Sequence, residues 1–181
     1  MPWPTKKLGE VAEIVVGKTP ARIDYLNAGT FKVLKYRDIK RSGINWTISE
    51  KGFVKESAVN GLKEVKIGDV LITSAGHTSA KIGEDAAVVK TIPKEFKRVF
   101  FASELICYRP NQKSLLPEWL LVFLHSETGQ EQVKKIVGDS VHLTGTKSQN
   151  LQIPLPPLAE QKRIVRKIEK IFQKIDETQR L

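Results

Sequence analysis

Leu8, Val11, Ala12 and Val15 recur at helical spacing, which predicts a short helix over residues 7–16 that stops at Gly17. Thr19-Pro20 then ends any regular element. After a turn signal at Asn27-Ala28-Gly29, the pattern over 31–36 alternates as a strand does. Short β-rich pieces follow at 44–48, 70–73, 86–89, 98–102 and 105–108, with a turn at 66–69 and a loop at 74–78. No regular helical pattern separates them. That argues against a doubly wound α/β fold and for a twisted, mostly antiparallel β-sheet.

The pattern changes at Ser114. Pro117 stands where a helix favours its first residue, and Leu120, Leu121, Phe123 and Leu124 supply an apolar stripe. A second helix over 127–137 carries Val133, Ile136 and Val137 on one face and stops at Gly138. Residues 138–150 read as a polar loop, and 153–157 as a stiff extended segment. Pro156-Pro157 then opens a helix that runs to the end of the chain. Ile164, Ile168, Ile171 and Ile175 are spaced four, three and four apart, a heptad seam widened by Val165 and Phe172. The rigid proline segment should project this helix away from the globule. The expected class is therefore α+β: a domain over 1–155 with a twisted sheet and flanking short helices, then a projecting coiled-coil helix over 156–181. Ile164, Ile168, Ile171, Phe172 and Ile175 are its expected dimerisation seam. The chain stops at Leu181 without a capping residue, as a helix cut from a longer one would.

Charge narrows the choice of partner. Thirty Lys and Arg against twenty Asp and Glu give a net +10, which favours polyanions through counterion release. Apolar residues make up 40% of the chain, enough for a packed core. Cys107 is the single cysteine, so neither an internal disulfide nor a cysteine zinc site can form, and a reducing cytoplasm fits. The start, Met1-Pro2-Trp3-Pro4, has no apolar run after it, and the longest apolar run, 119–124, is far short of the roughly 20 residues of a membrane span.

Catalytic signatures are missing. No Gly-x-Gly occurs, no complete Gly-x-x-x-x-Gly-Lys-Ser/Thr phosphate loop, and no Asn-Pro-Pro or Asp-Pro-Pro of an amino-methyltransferase. Glu64-Val65-Lys66 and Glu95-Phe96-Lys97 have the Glu-x-Lys form of many nucleases, but no Pro-Asp partner accompanies them. His77, His125 and His142 are far apart in sequence and read as surface or loop histidines. A non-catalytic binding role is the expectation, with no metal or cofactor on this chain.

Leu155-Pro156-Pro157-Leu158-Ala159-Glu160-Gln161-Lys162-Arg163-Ile164-Val165 closely resembles the helical-region start of type I restriction-modification specificity subunits. Trp3, Lys7-Leu8-Gly9-Glu10 and Gly17-Lys18-Thr19-Pro20 resemble the start of that family's target-recognition domain. Lys66 to Ile72 is similar to its Gly-Asp-Val-Leu strand, and Gly145-Thr146 to Leu151 to its Gly-Thr loop. The resemblance implies a subunit without catalysis that reads one half of a bipartite site in double-stranded DNA. It implies methyltransferase and restriction subunits as partners, with S-adenosylmethionine, ATP and Mg confined to those partners. Full members resemble two recognition domains and two helical regions, whereas this chain has one of each. It therefore reads as a natural half-subunit or a cut fragment, and either could restore the pair as a homodimer.

Base reading needs polar side chains on exposed loops beside cations that hold phosphates. Three segments offer them: Lys35, Tyr36, Arg37, Lys40 and Arg41; then His77, Thr78 and Lys81; then Thr144, Thr146, Lys147, Ser148 and Gln149. Arg37 suits guanine, and Lys40 and Arg41 suit phosphates. Arg37 could instead pair with Asp38, and each loop could be a plain connection. Two rival readings remain open: a protein-interaction module with incidental basic charge, and a small nuclease.

Overall fold

The apolar stretch that spacing assigns to one helix divides into three elements in the computed structural model, which describes residues 3–47, 51–75, 82–140 and 142–178. Strand β1 is Thr5–Lys7, α1 is the single helical turn Leu8–Val11, and β2 is Ala12–Val16. Pairing overrides the helical spacing. Ile14, Val15 and Val16 are β-branched and stiff, and they lie antiparallel to a neighbouring strand at residues 106–108. Gly17 ends a strand, not a helix.

Strands β3 (Tyr25–Leu26), β4 (Phe31–Leu34), β5 (Ile39–Lys40), β6 (Gly43–Ile44) and β7 (Phe53–Val54) follow. Then come β8 (Val70–Thr73), β9 (Ala86–Val88), β10 (Arg98–Phe101) and β11 (Leu105–Pro110). The strand expected over 44–48 is only the two residues of β6, and Ile48 lies outside the described residues. One antiparallel sheet has the order β2-β11-β8-β9, and a second has the order β10-β4-β7-β3. Among the described residues only the β10–β4 pair is parallel. The α+β class and the antiparallel bias are as expected, in two four-stranded and two two-stranded sheets instead of one.

Strand alternation builds the layers. Val70 and Ile72 of β8, with Ile106 and Tyr108 of β11, face a core shared with the helices. Leu71, Leu105 and Cys107 face the other way, onto Leu34, Val99 and Phe101 of the second sheet. The far side of that sheet, Phe31, Val33 and Phe100, closes a third cluster. The helical layer is α2 (Pro117–His125), α3 (Glu127–Val137) and the single turn α4 (Gly145–Ser148), followed by strand β12 (Gln152–Pro154) and α5 (Leu158–Thr178). Pro117 opens α2, Ser126 caps α3 through the Gly129 amide, and Gly138 ends α3 with φ +61. The segment 138–150 is therefore not all loop: α4 sits inside it, capped by Thr144.

Two motif blocks turn out to be clamps. The Lys66–Asp69 turn closes on the Asp69 carboxylate, which accepts the Lys66 amide at 2.8 Å and is buried. Arg109 of β11 grips the same carboxylate with two hydrogen bonds of 2.8 and 2.9 Å, tying the turn to the sheet. In the proline block, the buried Gln161 side chain accepts the Leu116 amide at 2.9 Å and donates to the Ser114 and Pro156 carbonyls at 2.8 and 2.9 Å. That amide locks the start of α5 onto the start of α2. Val165 is buried in the same core, and Ile164 packs against it. The 21-residue α5 is about 30 Å long. Its first half belongs to the globule, and only its second half projects. Ile171, Phe172 and Ile175 are 49%, 62% and 44% exposed.

Lys32 breaks the apolar pattern of β4. Alternation places it on the Leu34 side, between the two sheets, fully buried. Its Nζ lies 5.4 Å from the Phe53 ring centre, and no hydrogen-bond partner reaches it among the described residues. Burial pulls its pKa down, and the nearby Asp38 only partly offsets this. A charged amine held there destabilises the fold.

Lys32→Met should therefore stabilise the protein, by ~1–3 kcal/mol near neutral pH in thermal or urea unfolding. The folded pKa lies below the ordinary value of 10.5, so the wild-type penalty is complete at pH below the folded pKa and fades as pH climbs toward 10.5. The gain from Lys32→Met should shrink over that window. A gain that is constant or absent would show that the amine is satisfied.

Candidate nucleic-acid interface

The two sheets are joined by the turn 102–104, which carries the chain from β10 in one sheet to β11 in the other. Three loops are fastened to this turn or to its neighbours by main-chain hydrogen bonds. The Ala102 amide donates to the Leu34 carbonyl at 2.9 Å, holding the end of β4. The Ser74 amide donates to the Glu104 carbonyl at 2.9 Å, holding the end of β8. The Leu143 amide donates to the Ser74 carbonyl at 2.7 Å, bringing in the segment before α4. The end of β2 joins through the Gly17 amide, which donates to the Leu105 carbonyl at 3.1 Å. The ends of β2, β4 and β8 and the segment before α4 thus meet on one side of the molecule.

Gly17 is glycine because of this crowding. A Cβ there would stand 2.0 Å from the Ala102 carbonyl oxygen and 2.8 Å from the Phe101 ring. The neighbouring hydroxyls of Thr19 and Ser103 hydrogen-bond at 2.6 Å, and the Ser103 amide donates to Thr19 at 3.1 Å.

The first candidate segment sits at the end of β4. Tyr36, Arg37 and Asp38 form a 3-10 turn that closes when the Asp38 carboxylate accepts the Lys35 amide at 2.8 Å. Arg37 is exposed; its guanidinium lies 5.7 Å from the ring centre of Tyr36, itself 44% exposed, and makes no ion pair with Asp38 among the described residues. The Lys35 ammonium rests 4.4 Å from the Tyr25 ring centre and donates to the Lys51 carbonyl at 2.7 Å. Burial pulls the Lys35 pKa down while Glu104 and Asp38 oppose that. Burial and then Glu104 push the Tyr25 hydroxyl up to about 12. Lys40 is exposed. Arg41 is partly committed: its side chain donates to the His125 carbonyl at the end of α2, at 2.8 Å, and its amide to Asp85 at 3.0 Å.

The second segment, His77, Thr78 and Lys81, lies outside the described residues; its flanks, Ser74 and Gly83, are fixed at this same end. The third is a correction in part. Ser148 is fully buried, accepts the Tyr108 hydroxyl at 2.9 Å and donates to the Thr144 carbonyl at 2.9 Å, so it has no face for DNA. Thr144 caps α4 by accepting the Lys147 amide. The Lys147 ammonium donates to the Val137 carbonyl at 3.1 Å, closing the end of α3. Gln149 packs beside Gly9, near the opposite end of β2 from Gly17. Thr146 alone of this group is exposed with no structural task among the described residues. His125 also differs from the surface reading: it is half-buried, and burial, then Arg41, lower its pKa, so the imidazole is neutral.

Spacing missed Asn27, Lys51, Glu104, Thr19 and Ser103. The Asn27 side chain accepts the Lys51 amide at 3.3 Å, and Lys51 adopts φ +56, so both are built into the same end. Asn27 was legible only as part of a turn, and Glu104 only as a gap between two strands. Among the described residues, no group of three or more His, Cys, Asp or Glu could hold a metal. The site is a polar rim of hydrogen-bonded main chain on which Arg37 and Lys40 stand as exposed cations.

Comparison with known proteins points one way. The family model described as "Type I restriction modification DNA specificity domain" matches residues 1–181. A putative type I restriction enzyme MjaX specificity subunit from Methanocaldococcus jannaschii is 26% identical over 169 residues, 91% of this chain and 38% of the relative. A chain from work on complex assembly and conformational transition of the type I R-M system matches with a TM-score of 0.73 at 26% identity, covering 99% of this chain and 40% of that one. The HsdS subunit from Thermoanaerobacter tengcongensis matches with a TM-score of 0.69 at 25% identity, covering 99% and 39%. The S subunit of a type I restriction-modification system from M. genitalium, 18% identical with a TM-score of 0.65, shares the fold. The chain thus spans about two fifths of the length of these relatives.

The crowding at the turn is testable without DNA. Gly17→Ala should lower stability by ~1–3 kcal/mol, because the backbone of the 102–104 turn must move. Gly9→Ala, which meets only the flexible Gln149 side chain and Cα at 3.2 Å or more, should cost much less. Equal unfolding midpoints for the two variants would show that the turn yields freely.

Proposed function

Because this chain belongs to the type I restriction modification DNA specificity domain family, we propose that its loop end reads one half of a bipartite site in duplex DNA. The observation that carries the reading is the fastening of residues 34, 74 and 143 around the 102–104 turn. It gives rigid main chain beneath side chains suited to base edges and phosphates. Tyr36, Arg37 and Thr146 are exposed enough to reach a groove, and Lys40 to reach a phosphate. The surplus of positive charge supplies the sequence-independent part of the binding.

In this reading the chain performs no chemistry. It positions methyltransferase and restriction subunits, and S-adenosylmethionine, ATP and Mg act on those partners. The exposed second half of α5 is the assembly element. Ile171, Phe172 and Ile175 continue the face that Gln161, Val165 and Ile164 have already used against the globule. Two copies joined by antiparallel α5 helices would hold two reading ends at a fixed separation, replacing the second recognition domain of a longer chain. Ile164 and Ile168, both half-buried, leave the larger part of that seam to the three exposed residues.

Selection of bound sites from random duplexes should return an interrupted palindrome for the wild-type chain. Ile171→Asp should sediment as a monomer and return a single half-site. Selection with no sequence preference would remove DNA reading. A palindrome retained by a dimeric Ile171→Asp would remove the α5 seam.

A further inference from the structure

Glu104 is a carboxylate at the centre of a rim built to meet phosphates. Its main chain is fixed in that rim: the Ser74 amide donates to its carbonyl at 2.9 Å, and Ser103 beside it is held by Thr19. The turn it occupies joins the two sheets, between the end of β4 with Lys35 and the end of β8 with Ser74. The Glu104 side chain is half-buried and makes no ion pair with a described cation. Its place in the turn, beside the ends of β4 and β8, puts the side chain at the polar rim, where its charge also raises the titrations of Tyr25 and Lys35.

A carboxylate in this position repels a phosphate and repels the carbonyl oxygens of guanine and thymine. It gains only from a donor, and the donor that duplex DNA offers in the major groove is an exocyclic amino group. We propose that Glu104 is a specificity-determining residue that accepts a hydrogen bond from the N4 amino group of a cytosine. The proposal rests on the loop end being the DNA-reading surface. Lys35, held on the Tyr25 ring at the neighbouring end of β4, sets a positive charge against the carboxylate and limits its repulsion of the backbone.

The test is site selection from random duplexes by the full chain, wild type against Glu104→Gln and Glu104→Ala. Glu104→Gln preserves side-chain size, and the Ser74 bond uses main chain, so melting curves matching wild type will establish that each variant is folded. At one position the wild type should prefer cytosine about tenfold or more. Glu104→Gln should shift that position toward adenine, whose N6 and N7 a glutamine amide matches, and Glu104→Ala should leave it without preference. A uniform rise in affinity for all sequences with an unchanged selected site would overturn the proposal, because the carboxylate then only repels. A wild-type adenine preference lost in Glu104→Ala would overturn the cytosine assignment. If the wild type selects no sequence, the reading surface fails and this proposal with it; if the wild type selects and Glu104→Gln selects the same site, this proposal alone fails.

Discussion

The 102–104 turn carries the organisation of this molecule. It is where the chain passes from one sheet to the other, and its main-chain groups bind the end of β4 through Leu34 and the end of β8 through Ser74. Gly17 is pressed against it with no room for a Cβ. A surface that distinguishes bases must hold its side chains to fractions of an ångström, and loops alone rarely do so. Here the rim is hydrogen-bonded sheet termini, so the exposed side chains begin from fixed points.

The residues that most clearly mark the sequence serve the framework. Asp69 closes a turn and grips Arg109, and Gln161 pins the start of α5 to the start of α2. These clamps stand away from the 102–104 turn: β8 starts beside Asp69, and its other end leads to Ser74. Under the proposed function the reading end and the assembly end are thus separate, and they share one core, since α5 packs against β8 and β11 before it projects.

Much of this was legible in the chain itself. The helix over 127–137, the buried strand at 70–73 and the α+β class follow from periodicity, Pro117 and Gly138. Leu8, Val11, Ala12 and Val15 satisfy helical spacing, yet the β-branched run that follows is decided by pairing with β11, nearly a hundred residues away. The polar run at 144–149 looked like a binding loop for a similar reason. Ser, Thr and Lys serve equally well to cap helices and to touch DNA, and only the positions of Tyr108 and Val137 reveal that Ser148 and Lys147 are engaged. Lys32 gave no signal at all, since a lone lysine in a strand is ordinarily solvated. Glu104 was hidden because a single acidic residue between two strands has no pattern.

Under the proposed function, DNA is met at the strand ends gathered around the 102–104 turn. Hydrogen exchange of the chain, with and without a duplex carrying its selected site, tests this directly. Protection on binding should concentrate at 17–19, 35–41, 102–104 and 142–146, and leave 66–69 and 112–118 unchanged. Protection confined to 66–69, 112–118 or α5, with the strand ends unaffected, would contradict it.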